Sequence, residues 1–431
     1  MYRKILSYLE SWKENKYRKP LILQGARQVG KTYSVLEFGR THYDNVAYFN
    51  FETNPKLNKT FEENIDPDYL IPILSHIAGQ TIVKEQTLIV FDEVQLCERA
   101  LTSLKYFCEN APEYHIIVAG SLLGVAVNRA RFSFPVGKVD MKTLYPMDIE
   151  EFMLALGEEE LVKKIRNCFD TDSPLPSALH DKAMQIYRQY LVVGGMPECV
   201  RNFVDTKDYI LVRHTQDTII SSYLNDMSKY NNLNEIKKTR LAYDNITVQL
   251  SKKNTRLQYK LIKKGGRASE FGNAIQWLCL SGIVSQVYKV EQIKKPLENY
   301  RDIDAFKIYV SDLGLLTAKK DLNANDILYM VDDINDFKGG MTENYVNVQL
   351  TINGYNTYYW ESDRGAEIDF IIQKEGHIIP IEVKSADNTR AKSLKIYMDA
   401  YKPQYAIKLS SKNFGKEDNK KIVPLYAAFC I

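Results

Sequence analysis

Short apolar runs bounded by polar or turn-forming residues punctuate the first third of the chain: Pro20-Leu21-Ile22-Leu23, Thr87-Leu88-Ile89-Val90-Phe91 and His115-Ile116-Ile117-Val118-Ala119. Runs of this length without apolar–polar alternation read as strands covered on both faces. Val46-Ala47-Tyr48-Phe49-Asn50-Phe51-Glu52 makes a further strand, and Thr32-Tyr33-Ser34-Val35-Leu36-Glu37-Phe38 carries helical spacing. Strands alternating with helices predict a parallel sheet with helices on both faces through about residue 150. From about residue 205 the alternation stops and helical patterns dominate. Within them, Lys260-Leu261-Ile262-Lys263-Lys264, a Gly265-Gly266 turn, and a second helix with Ala268, Phe271, Ile275 and Leu278 inward resemble a helix-turn-helix. Ser269, Asn273 and Gln276 would face outward from it. Val284-Ser285-Gln286-Val287-Tyr288-Lys289-Val290 and Phe306-Lys307-Ile308-Tyr309-Val310 alternate as two strands and fit a wing. After Gly339-Gly340, a helix over 342–350 precedes strands over 357–360, 366–372 and 379–384, the last two joined by a hairpin that contains Gly376.

At 431 residues the chain exceeds one hydrophobic core. These patterns divide it into an α/β domain over 1–205, a helical, winged-helix domain over 206–325 and an α/β domain over 326–431. Apolar residues at 45% and charged residues at 26% are ordinary for a globular protein. No apolar stretch approaches the roughly 20 residues needed to span a bilayer, and the N-terminus lacks a signal-peptide core, so a cytoplasmic protein without membrane contact is expected. The six cysteines are scattered, with no pair and no histidine at metal-ligand spacing, and read as reduced thiols. The net charge of +3 is small. Residues 251–269, however, hold Lys252, Lys253, Arg256, Lys260, Lys263, Lys264 and Arg267 and no acid. Such a block on a helix-turn-helix suggests DNA, because it neutralises phosphates and releases counterions. A solvated basic face is the competing description.

The chemistry concentrates first at Gly25-Ala26-Arg27-Gln28-Val29-Gly30-Lys31-Thr32, followed by Tyr33, between the first strand and its helix. This is the phosphate-binding P-loop pattern in its required strand–loop–helix context. The two glycines let backbone N–H groups wrap a triphosphate at the helix N-terminus. Lys31 would reach the outer phosphates of ATP and the Thr32 hydroxyl would hold Mg²⁺. Hydrolysis needs an acidic strand end as well, and Thr87–Phe91 runs into Asp92, placed to hold the magnesium through water, and Glu93, placed to orient or deprotonate the attacking water. Ser121, after the next buried strand, is the candidate γ-phosphate sensor; a helix-capping serine would look the same.

A second constellation lies near the C-terminus. The two-residue period of a strand puts Glu367 and Asp369 on one face, and Glu382 and Lys384 on one face. A metal-dependent nuclease would use Asp369 and Glu382 to hold Mg²⁺, Lys384 to position water or stabilise charge, and Glu343 from the preceding helix to complete the site. An amphipathic sheet with salt-bridged charges on its open face would carry the same residues.

Six phrases, the P-loop, Phe91-Asp92-Glu93-Val94-Gln95, Ala119-Gly120-Ser121, Leu144-Tyr145-Pro146-Met147, Gly194-Gly195-Met196-Pro197-Glu198 and Val310-Ser311-Asp312-Leu313-Gly314-Leu315-Leu316, occur in the order seen in a family of prokaryotic AAA+-like ATPases with a C-terminal DUF4143 region. The chain resembles that family over almost its whole length. The resemblance implies an N-terminal ATPase, a middle winged-helix region and a C-terminal domain similar to the PD-(D/E)xK nuclease fold. One position departs from the family: Lys138 stands where an arginine is usual, and lysine lacks the planar fork of an arginine finger. Arg129 and Arg131 are nearby alternatives. Two functions are therefore expected to compete: an ATPase that couples nucleotide state to a DNA-binding or nuclease-like half, and an ATP-gated switch that engages a protein partner or a second copy of itself and cuts nothing.

Overall fold

The computed structural model describes residues 1–120, 134–229, 233–251, 256–385 and 392–431. The chain forms two compact units, one made of Tyr2–Tyr145 with Leu280–Gly282, the other of Pro146–Cys279 and Ile283–Ile431 together with Met1. Residues 146–205, assigned by sequence pattern to the ATPase region, cluster with the second unit.

The first unit is built on five parallel strands: β1 (Leu21–Gln24), β2 (Asn45–Asn50), β3 (Thr87–Asp92), β4 (His115–Ala119) and β5 (Asp140–Thr143). They lie side by side in the order β2-β3-β4-β1-β5. Every residue of β3 and β4 is buried, which is what the uninterrupted apolar runs demand of strands sandwiched between helices. Ile22, Phe49, Phe91, Leu104, Ile116 and Val118 belong to the core, where the Phe51, Phe61 and Phe91 rings meet at centroid distances of 5.6–5.9 Å. β2 ends at Asn50, so Phe51 and Glu52 lie in the turn beyond the expected strand end.

The second unit opens with helices, among them Ser177–Val193, Pro197–Thr206, Tyr209–Lys229, Leu233–Gln249 and Ala268–Leu280. It continues into a mixed sheet of eight strands, β6 (Val284–Val290), β7 (Arg301–Val310), β8 (Tyr358–Glu361), β9 (Glu367–Lys374), β10 (His377–Val383), β11 (Ala406–Ser410), β12 (Gly415–Glu417) and β13 (Lys420–Pro424), in the order β12-β13-β11-β10-β9-β8-β6-β7. The expected wing is therefore the edge of this sheet. β6 pairs antiparallel with β7 on one side and parallel with β8 on the other, so the two strands extend the C-terminal sheet. A local period of two is the same in a wing and in a sheet edge, and only the non-local pairing separates them.

The helix expected to follow Gly339-Gly340 runs through both glycines, over Asn335–Ile352. Gly340 is needed for proximity, since a Cβ there would lie 1.9 Å from the Leu250 carbonyl oxygen, whereas one on Gly339 would meet nothing within 4 Å. β9 and β10 are joined by Glu375 (φ 48°) and Gly376 (φ 79°), with Lys374 opposite His377, the two-residue left-handed turn whose twist suits a hairpin.

Three of the six phrases close on one buried knot of the second unit. The Asp312 carboxylate accepts from the Gly195 N–H at 2.6 Å and the Leu315 N–H at 2.8 Å. Met147 N–H donates to Gly195 O at 2.7 Å, and the Tyr190 hydroxyl donates to Met147 O at 2.7 Å. Added Cβ atoms would strike Asp312 from Gly194 at 2.4 Å and Met147 O from Gly195 at 2.0 Å, which accounts for the glycine pair. Burial pushes the Asp312 carboxyl up to about 6, against the pull of the N–H groups it accepts from.

Candidate functional site

The P-loop springs from the buried β1 and bends where its sequence allows. Gly25 takes φ 148°, Gln28 takes φ 65° and Gly30 takes φ 90°, and Gly30 caps the helix Lys31–His42. Gly25 is fixed twice over, because a Cβ there would sit 2.1 Å from the Leu144 carbonyl oxygen. Ala26 and Val29 are buried, Gln28 and Tyr33 are exposed, and Arg27 is half-buried. Arg3, which no motif flagged, braces the loop from below: its guanidinium donates to Val29 O and to Tyr145 O, each at 2.8 Å. The signal was only a lone arginine within an otherwise amphipathic N-terminal segment.

Lys31 is 7% exposed and donates to two loop carbonyls, Gly25 O at 2.9 Å and Ala26 O at 2.7 Å. Burial lowers its pKa to about 8, although the carboxylates of Glu93 and Asp92 pull the other way. β3 delivers Asp92 to the same end of the sheet, where Thr32 Oγ1 donates to Asp92 Oδ2 at 2.9 Å. The two expected magnesium-holding oxygens are thus adjacent, and this hydroxyl–carboxylate pair fits a hard cation that keeps most of its other ligands as water and phosphate. The Tyr48 hydroxyl also donates to Asp92 Oδ2, at 2.7 Å, and burial with this bond raises its pKa to about 12. Tyr48 comes from β2, where the register sets Asn50 opposite Asp92. Sequence reasoning missed it, because on a strand of unknown register an aromatic residue has no signal of its own.

Glu93 stands just beyond β3 in the left-handed region, with φ 51°. Burial raises its pKa, opposed by the amide of Gln95, which donates to Glu93 Oε2, and by Lys31 and Arg27. A carboxylate with a raised pKa, oriented by a neighbouring amide and next to the phosphate loop, is suited to taking a proton from water. β4 lies between β1 and β3, so the chain leaving it after Gly120 starts between the loop and the acids. Ser121, the candidate sensor there, lies outside the described residues, as do Arg129 and Arg131. Lys138 pairs with Glu109, Nζ to Oε1 at 2.9 Å, on the surface.

In the second unit, the structure brings Glu343, Asp369, Glu382 and Lys384 together and adds residues that sequence reasoning missed. Lys307 on β7, 2% exposed, pairs with Glu343 Oε2 at 3.4 Å and with Glu367. The Tyr309 hydroxyl donates to the same Glu343 oxygen at 3.0 Å. A lysine inside the run Ala305-Phe306-Lys307-Ile308-Tyr309-Val310 was the one available hint. Lys384 pairs with Glu382 Oε1 at 2.5 Å, and Asp369 Oδ2 accepts from the Val383 N–H at 2.7 Å. Burial drives the Asp369 carboxyl well up, reinforced by Glu343 and Glu382, and raises Glu382 against the pull of Lys384. Burial lowers Lys307 but is outweighed by Glu343, Tyr309, Glu367 and Asp369, and its pKa stands well above the ordinary value. Glu382 Oε2 is buried without a hydrogen-bond partner. Among the described residues no three His, Cys, Asp or Glu side chains group so as to hold a metal ion. Lysines pair with three of these acids, Lys307 with Glu343 and Glu367 and Lys384 with Glu382, while Asp369 is held by a backbone N–H.

The segment expected to form a helix-turn-helix holds a four-residue helix, Tyr259–Ile262, that ends before Lys263 and Lys264, and the helix Ala268–Leu280, with Gly265 at φ 77° between them. Phe271, Ala274, Ile275, Trp277 and Leu278 are buried, Ser269, Asn273 and Gln276 are exposed as expected, and Ala268 is exposed where an inward position was expected. Lys260, Lys264 and Arg267 are exposed, and Lys263 pairs with Glu270 at 2.9 Å. Lys252 and Lys253 lie outside the described residues. No helix among the described residues is long and apolar enough to cross a membrane.

Comparison with known proteins finds three family matches. Residues 17–153 match the model of an AAA domain, residues 184–326 a domain of unknown function (DUF8612), and residues 338–428 a domain of unknown function (DUF4143). The chain therefore carries an AAA-type P-loop ATPase domain and a C-terminal DUF4143 region. Among solved structures, it is similar to the Walker-type ATPase PABY2304 of Pyrococcus abyssi at 14% identity, over 74% of this chain and 95% of that one, with a TM-score of 0.45. It is also similar to the ORC2 protein of Aeropyrum pernix in ADPNP–ADP complexes, at 14% identity over 76% and 90% of the two chains and a TM-score of 0.38. No curated protein matches the chain.

Proposed function

With the AAA domain as premise, we propose that this chain is a Mg²⁺-dependent ATPase whose nucleotide state is relayed to its C-terminal half. The observation that carries the proposal is the convergence of Lys31, the Thr32–Asp92 pair and Glu93 at one end of the parallel sheet. Residues 25–33 would cradle the phosphates, with the Lys31 ammonium exchanging two carbonyl partners for phosphate oxygens. Thr32 and Asp92 would hold Mg²⁺, which when bound neutralises phosphate charge. Glu93, steadied by Gln95, would orient the attacking water and accept its proton. The exposed basic residues Lys260, Lys264 and Arg267 support a DNA-facing role for the half that follows. The lysine-matched acids around Asp369 favour the second reading, a switch that engages a protein partner or another copy of itself without cutting nucleic acid.

The test follows ATP turnover and DNA integrity together, with Mg²⁺, with and without single- and double-stranded DNA, for wild type, Lys31→Ala, Glu93→Gln and Asp369→Ala. Turnover lost in the first two variants supports the ATPase; turnover unchanged in Lys31→Ala refutes it. DNA that neither binds nor stimulates at low salt ends the DNA-coupled reading. Cleavage abolished by Asp369→Ala ends the non-cleaving one.

A further inference from the structure

A second cleft in the AAA unit lies at the opposite end of the parallel sheet from the phosphate loop. It has a volume of 500 Å³, within the range of small-molecule sites. Its floor is His115, the first residue of β4, and its walls come from the helix Ile5–Glu14, from Arg18, and from His42 at the end of the P-loop helix.

Two nitrogens in this cleft are buried without a partner, Nε2 of His115 and Nε of Arg18. His115 is only 4% exposed. Its other nitrogen, Nδ1, is 2.7 Å from the Tyr43 hydroxyl, and its ring stands edge-on to Tyr43 and Trp12. Burial holds His115 neutral, with a pKa of about 4, helped by the nearby charges of Arg18 and Lys13. Arg18 also acts on Tyr43, whose pKa it draws down against the larger upward push of burial. Where the Tyr43 hydroxyl donates to Nδ1, the imidazole is the tautomer whose Nε2 is an N–H donor. In that tautomer the floor of the cleft presents two N–H donors, Arg18 Nε and His115 Nε2, with no acceptor, a costly arrangement for native buried groups. Three acids border the cleft, Glu10, Glu14 and Glu85; all are exposed, and Glu10 Oε1 lies 3.3 Å from His42 Nε2. Lys13 is turned aside, donating to His42 O and lying 4.3 Å over the Tyr43 ring.

We propose that this cleft binds a small zwitterion, with its carboxylate on Arg18 Nε and His115 Nε2 and its ammonium toward Glu10, Glu14 and Glu85. A simple anion would satisfy the floor but meet the acidic rim, and a simple amine would do the reverse. The site is separate from the nucleotide site and does not depend on the ATPase reading.

The test is a titration of the full chain followed by the imidazole nitrogen resonances of its histidines, using glycine, 4-aminobutanoate and 6-aminohexanoate, with butanoate and butylamine as single-charge controls. At least one zwitterion should shift His115 Nε2 saturably, and each control should bind at least ~10-fold more weakly, the loss expected when one charge-assisted contact is removed. Arg18→Gln, a partly exposed position, should weaken that zwitterion by a similar factor while ATP binding stays unchanged. No shift with any zwitterion, or butanoate or butylamine binding as tightly, would overturn the proposal.

Discussion

Lys31 is where a single proton has the largest functional consequence. Its folded pKa of about 8 lies below the ordinary lysine value, so between the two the unfolded chain holds a proton that the folded chain has released. Folding stability from this group accordingly rises with pH from about 8 to about 10.5. ATP binding has the opposite slope, because the polyphosphate needs the charged form. ATP affinity should be flat below pH 8 and fall by up to ~10-fold per pH unit above it. Calorimetric titrations at pH 9 in buffers of different ionisation enthalpy should register proton uptake on binding; uptake absent at pH 9 would show that Lys31 is already fully charged in the free protein. Glu93→Gln separates binding from chemistry at the same site. The amide keeps the size of the side chain and loses its basicity, so ATP affinity should hold within about threefold while turnover drops by ~10²–10⁴, measured by equilibrium binding and phosphate release.

Among the elements, the helix Asn335–Ile352 offers the sharpest contrast, because two adjacent glycines in it have different reasons to be glycine. Gly339→Ala adds a methyl group where nothing lies within 4 Å and replaces a poor helix former, so it should stabilise by up to ~1 kcal/mol. Gly340→Ala drives a Cβ to 1.9 Å from the Leu250 carbonyl oxygen and should destabilise by ~3 kcal/mol or more, since backbone must move. Denaturant midpoints of the two variants check the pair, and equal shifts in the same direction would mean that this helix and the Leu250 backbone are not that close. This helix also shows where the sequence was legible and where it was not. Its existence and its Glu343 were readable from local periodicity. Its start was not, because a Gly-Gly pair signals a break unless a neighbouring backbone requires it, and Leu250 is distant in sequence. The same limit explains the wing. Val284–Val290 and Phe306–Val310 were recognisable as strands, but β8, the parallel partner of the first, begins at Tyr358, and no local pattern encodes that pairing. At the nucleotide site the contiguous elements, the P-loop and Asp92-Glu93, were legible because phosphate chemistry dictates residue types at fixed spacing. Tyr48, Arg3 and Lys307 were hidden because they reach their sites through register and packing alone.

For the whole molecule, the two compact units each bury a hydrophobic core of their own, around Phe91 and Ile116 in one and around Trp360, Ile368 and Tyr397 in the other. Each core is large enough to melt cooperatively, so thermal unfolding should show two transitions instead of one. A ligand enters the stability of only the unit that binds it. ATP with Mg²⁺ at about 100 times its dissociation constant should add ~2.7 kcal/mol to the transition of the Tyr2–Tyr145 unit. Gly340→Ala should lower the other transition and leave the nucleotide-responsive one in place. Calorimetry on wild type, Lys31→Ala and Gly340→Ala, each with and without nucleotide, assigns the peaks. Lys31→Ala should abolish the nucleotide shift without moving the second peak. If one peak responded to both nucleotide and Gly340→Ala, the two cores would be energetically one, and a relay from the phosphate loop to the C-terminal half would need no intermediate conformational step to connect them.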